Sequence, residues 1–248
     1  MEGVVGRRPV LEAVRAGVAR EVLVAEGARS TAGLRDLLDE ARSAGIPVRR
    51  VSPDRVAQVA GGARHQGVAA TVKAPRRLTE ADLSRHRWEE DAVVLVLDGV
   101  TDPHNVGAVG RTAEAAGAAA LILRRKREAG LTPTALRASA GALLHLPVAE
   151  VPNVVRALER LRDRGFWIVG LDVGGQASLF DARPPPGPLA LVVGSEGSGL
   201  SRLVRESCDE LVAIPLRGRV ASLNVSVATG VALFAYTGRQ VGPPEQES

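Results

Sequence analysis

Apolar positions follow two different rhythms along this chain, and the change comes near residue 92. Before it, short helical and strand-like patterns alternate. Arg8 to Ala16 has helical spacing and Glu21 to Ala25 reads as a short strand. Thr31 to Ala44 reads as an amphipathic helix with Leu34, Leu37, Leu38 and Ala41 along one face. Gly45 stops that helix. A strand over Val48 to Val51, a helix opening at Ser52-Pro53 and a strand over Gly67 to Val72 complete a compact α/β unit over residues 1–75. Residues 76–91 are polar and charged, without a sustained apolar pattern, and read as a linker holding at most one short helical turn.

After residue 92 the runs become short and nearly continuous: VVLVL (93–97), AALIL (119–123), FWIVGL (166–171), LALVV (189–193) and LVAIPL (211–216). Strands buried on both faces have this composition, and they occur in parallel sheets covered by helices. Helical spacing lies between the runs, as in Asn153 to Arg164 with Val154, Leu158 and Leu161 on one side. The alternation predicts an α/β domain, a mostly parallel doubly wound sheet over residues 92–240, followed by a Gly/Pro-rich tail at 241–248.

Composition narrows the function classes. Hydrophobic residues are 45% of 248, enough for a sizeable core, yet no run reaches the length of a membrane span. The opening MEGVVGRRPV lacks the apolar stretch of a secretory signal, so a cytoplasmic protein without membrane contact is expected. A single cysteine, Cys208, excludes an internal disulfide. The four histidines have no metal-ligand spacing, so no metal is expected. Of 32 basic residues 30 are arginine, which a GC-rich genome explains as well as a function does. The distribution says more: residues 1–75 carry 12 bases against 8 acids, and the remainder is balanced at 20 and 20. A basic front module suits a polyanion such as nucleic acid.

Ligands of doubly wound sheets bind beyond the carboxyl ends of the strands, and three loops in those places carry polar residues. DGVTDPHNVGAVGRTA (98–113) contains Asn105, able to cap the next helix, and Arg111. Six helical residues turn about 600°, so the two share a cleft only if the helix begins just after Asn105. Otherwise Asn105 is a plain cap and Arg111 a surface charge. GSEGSGLSRL (194–203) is a glycine-rich turn that is neither a Walker loop nor a dinucleotide fingerprint. Its Glu196 suits a cationic partner, an arginine or a sulfonium. IPLRGRVASLNVSVATGVALFAY (214–236) offers Ser222 and Asn224 before an apolar helix whose inner face is expected to be Val227, Val231 and Phe234. Simple helix capping would also explain Ser222 and Asn224.

Together DPHNVGAVGRTAEAAG, LVVGSEGSGLSRLVRESCDELVAIPL and VASLNVSVATGVALF resemble, in order and spacing, the three signature motifs of the SpoU/TrmH family of SPOUT RNA ribose 2′-O-methyltransferases. The front segments GRRPVLEAV (6–14) and HQGVAA (65–70) resemble the substrate-binding domain of the RlmB-type branch, an L30e-like RNA-binding module. That branch methylates a guanosine ribose in the peptidyl-transfer loop of large-subunit ribosomal RNA. The resemblance implies a C-terminal trefoil knot, a homodimer and S-adenosyl-L-methionine as methyl donor. It implies donor contacts at Gly194, Ile214, Leu216, Ser222, Leu223 and Asn224. Arg7, Arg8, His65 and Gln66 become candidate RNA contacts, although His65 and Gln66 could equally order a loop before the last strand.

The reaction implied moves a methyl group to a ribose 2′-hydroxyl, a poor nucleophile whose proton must be removed or whose forming alkoxide must be stabilised. Arg111 is expected to bind the adjacent phosphate and stabilise that oxyanion, because a guanidinium stays protonated and makes a poor base. Glu196 is expected to pair with or orient Arg111, and Asn105, Ser222 and Asn224 to fix ribose and donor. Rival readings keep the chemistry and change the RNA to a transfer RNA guanosine or a ribosomal adenosine, make the chain a non-catalytic ribosome-assembly protein, or make it a nucleotide-dependent oxidoreductase.

Overall fold

The computed structural model describes residues 3–15, 17–72, 77–125, 130–183 and 185–240; the expected tail at 241–248 lies outside them. The front unit opens with a strand the sequence reading missed, β1 (Gly3–Val5), then α1 (Arg7–Arg15), β2 (Ala19–Ala25), α2 (Ala32–Ser43), β3 (Val48–Val51), α3 (Pro53–Ala60) and β4 (Val68–Val72). Its sheet has the order β1-β4-β2-β3, with β4 antiparallel to β1 and β2, and β3 parallel to β2. Thr31 caps α2 by accepting the Leu34 N–H, and Leu34, Leu37 and Ala41 are buried as the helical spacing required.

The segment read as a linker is built into the larger sheet. β5 (Arg77–Leu78) pairs in parallel with β8 (Val148–Val151), and α4 (Glu80–Arg85) buries Leu83 completely. Thr79 and Asp82 form a reciprocal capping box at the start of α4. Glu80 then meets Arg156 and Arg160 on α7 (Val154–Arg162), locking helix to helix.

The sheet continues with β6 (Val93–Asp98), α5 (Pro103–Ala115), β7 (Ala120–Arg124), α6 (Pro133–Ala138), a 3-10 turn (Ala142–Leu144), β9 (Trp167–Leu171), β10 (Ala177–Ser178), β11 (Leu189–Gly194), α8 (Arg202–Glu206), β12 (Glu210–Ala213) and α9 (Val225–Gln240). Eight strands lie in the order β10-β12-β9-β11-β6-β7-β8-β5, and each neighbouring pair is parallel. Every residue of β6 and β11 is buried, which is why they read as unbroken apolar runs. Each such Val or Leu contributes about 1.5–3 kcal/mol of burial. The crossover order places the carboxyl ends of β12, β9, β11 and β6 side by side, and the site is built there.

The inner face of α9 differs from expectation. Val227 and Phe234 are each 53% exposed and Val231 is only partly covered, whereas Val225, Thr229, Ala232, Leu233 and Tyr236 are buried. α9 packs against α5, where Gly230 comes so near that a Cβ on it would lie 3.4 Å from Thr112 Cγ2. Leu233 and Tyr236 supply the large side chains of the buried side, and Val227 and Phe234 are turned outward.

Candidate active site

The loop after β6 turns into α5 through Asp102, not Asn105. Asp102 Oδ1 accepts the His104 N–H at 2.9 Å, and Pro103 occupies the first helical turn, where its missing N–H costs nothing. Asn105 therefore lies inside the helix. Arg111 follows six helical positions later, about 240° around the axis and 9 Å along it. The condition for both to face one cleft from a single helix is not met.

The glycine-rich turn after β11 depends on a backbone-on-backbone contact. Ser195 and Gly199 bridge each other through both N–H···O bonds, at 3.2 and 3.0 Å. A Cβ at Gly194 would stand 2.1 Å from the carbonyl carbon of Gly199, so only glycine fits. The turn projects Glu196 toward the start of α9. Its Oε1 accepts Asn105 Nδ2–H at 3.2 Å, the Val225 N–H at 3.2 Å and a short bond from Asn224 Nδ2–H. Asn224 Nδ2 also reaches Asn105 Oδ1 at 3.1 Å. Asn224 Oδ1 accepts the N–H of Ser226 at 3.0 Å and so caps α9. The carboxylate thus meets the positive end of a helix and satisfies an amide with no partner inside it.

Asn105, Glu196 and Asn224, drawn from three distant motifs, form one hydrogen-bonded cluster. Beside it opens a cavity of about 300 Å³, with Gly194, Ile214, Leu216, Ser222 and Leu223 in its wall, while Asn224, also expected to touch the donor, is not part of that wall. Arg111 is exposed and is absent from that wall. No ion pair joins it to Glu196 among the described residues, which corrects the expected pairing: Glu196 Oε1 instead takes three amide donors. Asp172, at the end of β9, also lines the cavity and was missed. Its position directly after the apolar run FWIVGL, at a strand's carboxyl end, was the available signal.

In the front unit Arg7 is held within the fold. Its guanidinium bonds Thr31 Oγ1 and the carbonyl of Arg29, the latter at 3.1 Å, and its N–H meets Gln66 Oε1 at 3.4 Å. His65 Nδ1 accepts the Gly67 N–H at 3.1 Å, ordering the turn before β4, while Gln66 takes a left-handed φ of 51°. Arg8 is exposed. Cys208 is excluded as a nucleophile: burial first, then the Asp209 charge, pushes its thiol up to about 12. Among the described residues no group of acidic, histidine or cysteine side chains could hold a metal, and no helix is long and apolar enough to cross a membrane.

Residues 92–234 match the SpoU rRNA methylase family model. The chain belongs to that family. Residues 4–78 match the RNA 2′-O ribose methyltransferase substrate-binding model. Among SpoU relatives, the chain is 44% identical to the 23S rRNA (guanosine-2′-O-)-methyltransferase RlmB of Photobacterium profundum over 84% of this chain and 85% of that protein. It is 47% identical to RlmB of Xylella fastidiosa (strain Temecula1), over 87% and 86%. Among solved SpoU structures, AviRb from Streptomyces viridochromogenes in complex with AdoMet is similar at TM-score 0.72 and 29% identity, covering 96% of this chain and 90% of that one.

Proposed function

We propose that this chain is an RNA ribose 2′-O-methyltransferase that uses S-adenosyl-L-methionine and modifies a guanosine of 23S ribosomal RNA. One observation carries the reading. Asn105, Glu196 and Asn224 converge from three loops into a single hydrogen-bonded cluster at the mouth of a cavity walled by Ile214, Leu216 and Leu223. The RlmB relatives support the choice of RNA.

The cavity fits the donor chemically. Aliphatic walls and nearby main-chain groups suit an adenine, and the Glu196 carboxylate suits a cationic ligand. When bound, S-adenosyl-L-methionine supplies a methyl group made electrophilic by its sulfonium. Gly194, Ile214, Leu216, Ser222, Leu223 and Asn224 would hold it. The chain's task is then to position and activate the 2′-hydroxyl. Asn105 and Asn224, fixed through Glu196, present amide groups at the cavity mouth and orient the ribose. Arg111 binds the phosphate beside that ribose and stabilises negative charge on the 2′-oxygen. A phosphate oxygen or a water takes the proton, since a guanidinium holds its own.

The front unit serves as the RNA-holding domain, L30e-like in fold, with Arg8 and the Arg7–His65–Gln66 turn as its contact region. The front unit would span 1–75 and the methyltransferase domain would run to 240 from β5 onward, because β5 and α4, within the segment expected to be a linker, are built into the larger sheet. A trefoil knot near the carboxyl end is part of the reading, as membership of the SpoU family implies. A homodimer is part of the reading, supported by Val227 and Phe234, both exposed on α9. The work would be done in the cytoplasm, without a metal.

The test is transfer of labelled methyl groups from S-adenosyl-L-methionine to total RNA, followed by mapping of the resistant ribose. Label at one guanosine of large-subunit RNA is the expected result. Label in transfer RNA, on an adenosine, or nowhere would overturn it.

A further inference from the structure

The cavity contains a second carboxylate, Asp172, whose two oxygens are in different situations. Only 7% of its side chain is exposed. Oδ1 accepts the Gly174 N–H at 2.8 Å and faces Arg205 Nη1 at 3.4 Å. Oδ2 has no hydrogen-bond donor among the described residues, and a Cβ built on Gly199 would lie 3.7 Å from it, beside the glycine-rich turn. Oδ2 is not among the fully buried unpartnered polar atoms; on a side chain that lines the cavity, its lone pairs are open to a ligand.

We infer that Asp172 Oδ2 accepts hydrogen bonds from the vicinal ribose hydroxyls of the methyl donor, with Arg205 and Gly174 holding the carboxylate in place. The inference rests on the donor reading given above. Strand order supports it. Ile214 and Leu216 follow β12, Asp172 follows β9, Gly194 ends β11 with Ser195 and Glu196 after it, and Asn105 lies beyond β6, in that spatial sequence. Neighbouring strands are about 4.8 Å apart. Asp172 therefore sits one strand from the aliphatic wall suited to a base and two strands from the helix of the reacting cluster. The sugar of an adenosine joins those two ends. Charge also favours a diol over the donor's ammonium. Arg205 already neutralises this carboxylate, so what remains on Oδ2 is hydrogen-bond acceptance, which two neutral hydroxyls match.

The test uses calorimetry on the full chain with S-adenosylhomocysteine and with its 2′,3′-dideoxy counterpart. The wild-type protein is expected to lose about tenfold or more in affinity when the hydroxyls are removed, the range for hydrogen bonds to a charged group. Asp172→Ala should weaken S-adenosylhomocysteine by a similar factor and bind the two ligands within about twofold of each other, the sign of a deleted contact. Arg205→Gln keeps the carboxylate and should still discriminate. If Asp172→Ala fails to fold by circular dichroism, Asp172→Asn is read in its place, with discrimination reduced. Wild-type protein that binds both ligands equally, or an Asp172 variant that discriminates as well as wild type, overturns the inference while leaving the donor site intact. Wild-type protein that binds neither ligand overturns the donor reading, and this inference with it.

Discussion

The Val225 N–H donates to Glu196 Oε1 at 3.2 Å, so one carboxylate closes the amino end of α9 and ties down Asn105 and Asn224 together. Glu196→Ala removes the acceptor of three donors at once. A stability loss of about 1–2 kcal/mol is expected, on the scale of a lost helix cap, together with at least tenfold weaker donor binding. Thermal melts without ligand and calorimetry with S-adenosylhomocysteine measure the two effects separately. Glu196→Gln keeps an acceptor and loses the charge facing the helix, so it should fall between.

Arg111 stands outside the cavity wall, exposed, with no ion pair among the described residues. Arg111→Ala should therefore leave S-adenosylhomocysteine affinity within about twofold while slowing methyl transfer about a hundredfold, the effect of a removed oxyanion donor. Single-turnover rates at saturating donor give the comparison. Normal turnover would remove Arg111 from the mechanism.

Cys208 makes a pH prediction. Burial raises its thiol from 9.0 to about 12 in the folded chain, so folding favours the neutral form. That stabilisation is complete below about pH 9 and declines as pH climbs from there toward 12. A thiol reagent at pH 8 should leave native protein unmodified and label it promptly in denaturant. Fast native labelling would contradict the buried position.

Glu80 titrates in the opposite direction. Burial alone would raise its carboxyl, but the hydrogen bonds and charges of Arg156 and Arg160 together outweigh this and hold it below the usual value. The stability it contributes is present above pH 4.5 and is lost as pH falls through its lowered value. Glu80→Gln should cost about 1 kcal/mol near neutral pH. The difference from wild type should shrink in acid, as chemical denaturation at pH 7 and at low pH will show.

How much was legible depended on how each segment is stabilised. β6 and β11 announced themselves because both faces are covered and every position but Asp98, the last of β6, is apolar. β5 and α4 did not, since two strand residues and one fully buried leucine make no period; only the Thr79–Asp82 capping box was there to be noticed. The face of α9 was misjudged because the helix is apolar most of the way round. Its orientation is set by packing against α5, which no periodicity encodes. At α5, Asp102 followed by Pro103 was the stronger capping signal, and reading it so would have placed Asn105 and Arg111 on different sides at once. The convergence of Asn105, Glu196 and Asn224 came from motif resemblance rather than local pattern, because those residues meet only through the order of the strands.

Asn105 and Asn224, in contact at 3.1 Å, are 119 positions apart, with Glu196 between them in the chain. Helices and turns can form as a ribosome extrudes them, whereas this meeting has to await the last of the three. A growing chain halted before α9 would have every strand of its sheet and no working pocket. The pocket would thus become competent only once α9 has been made, well after the front unit has left the ribosome.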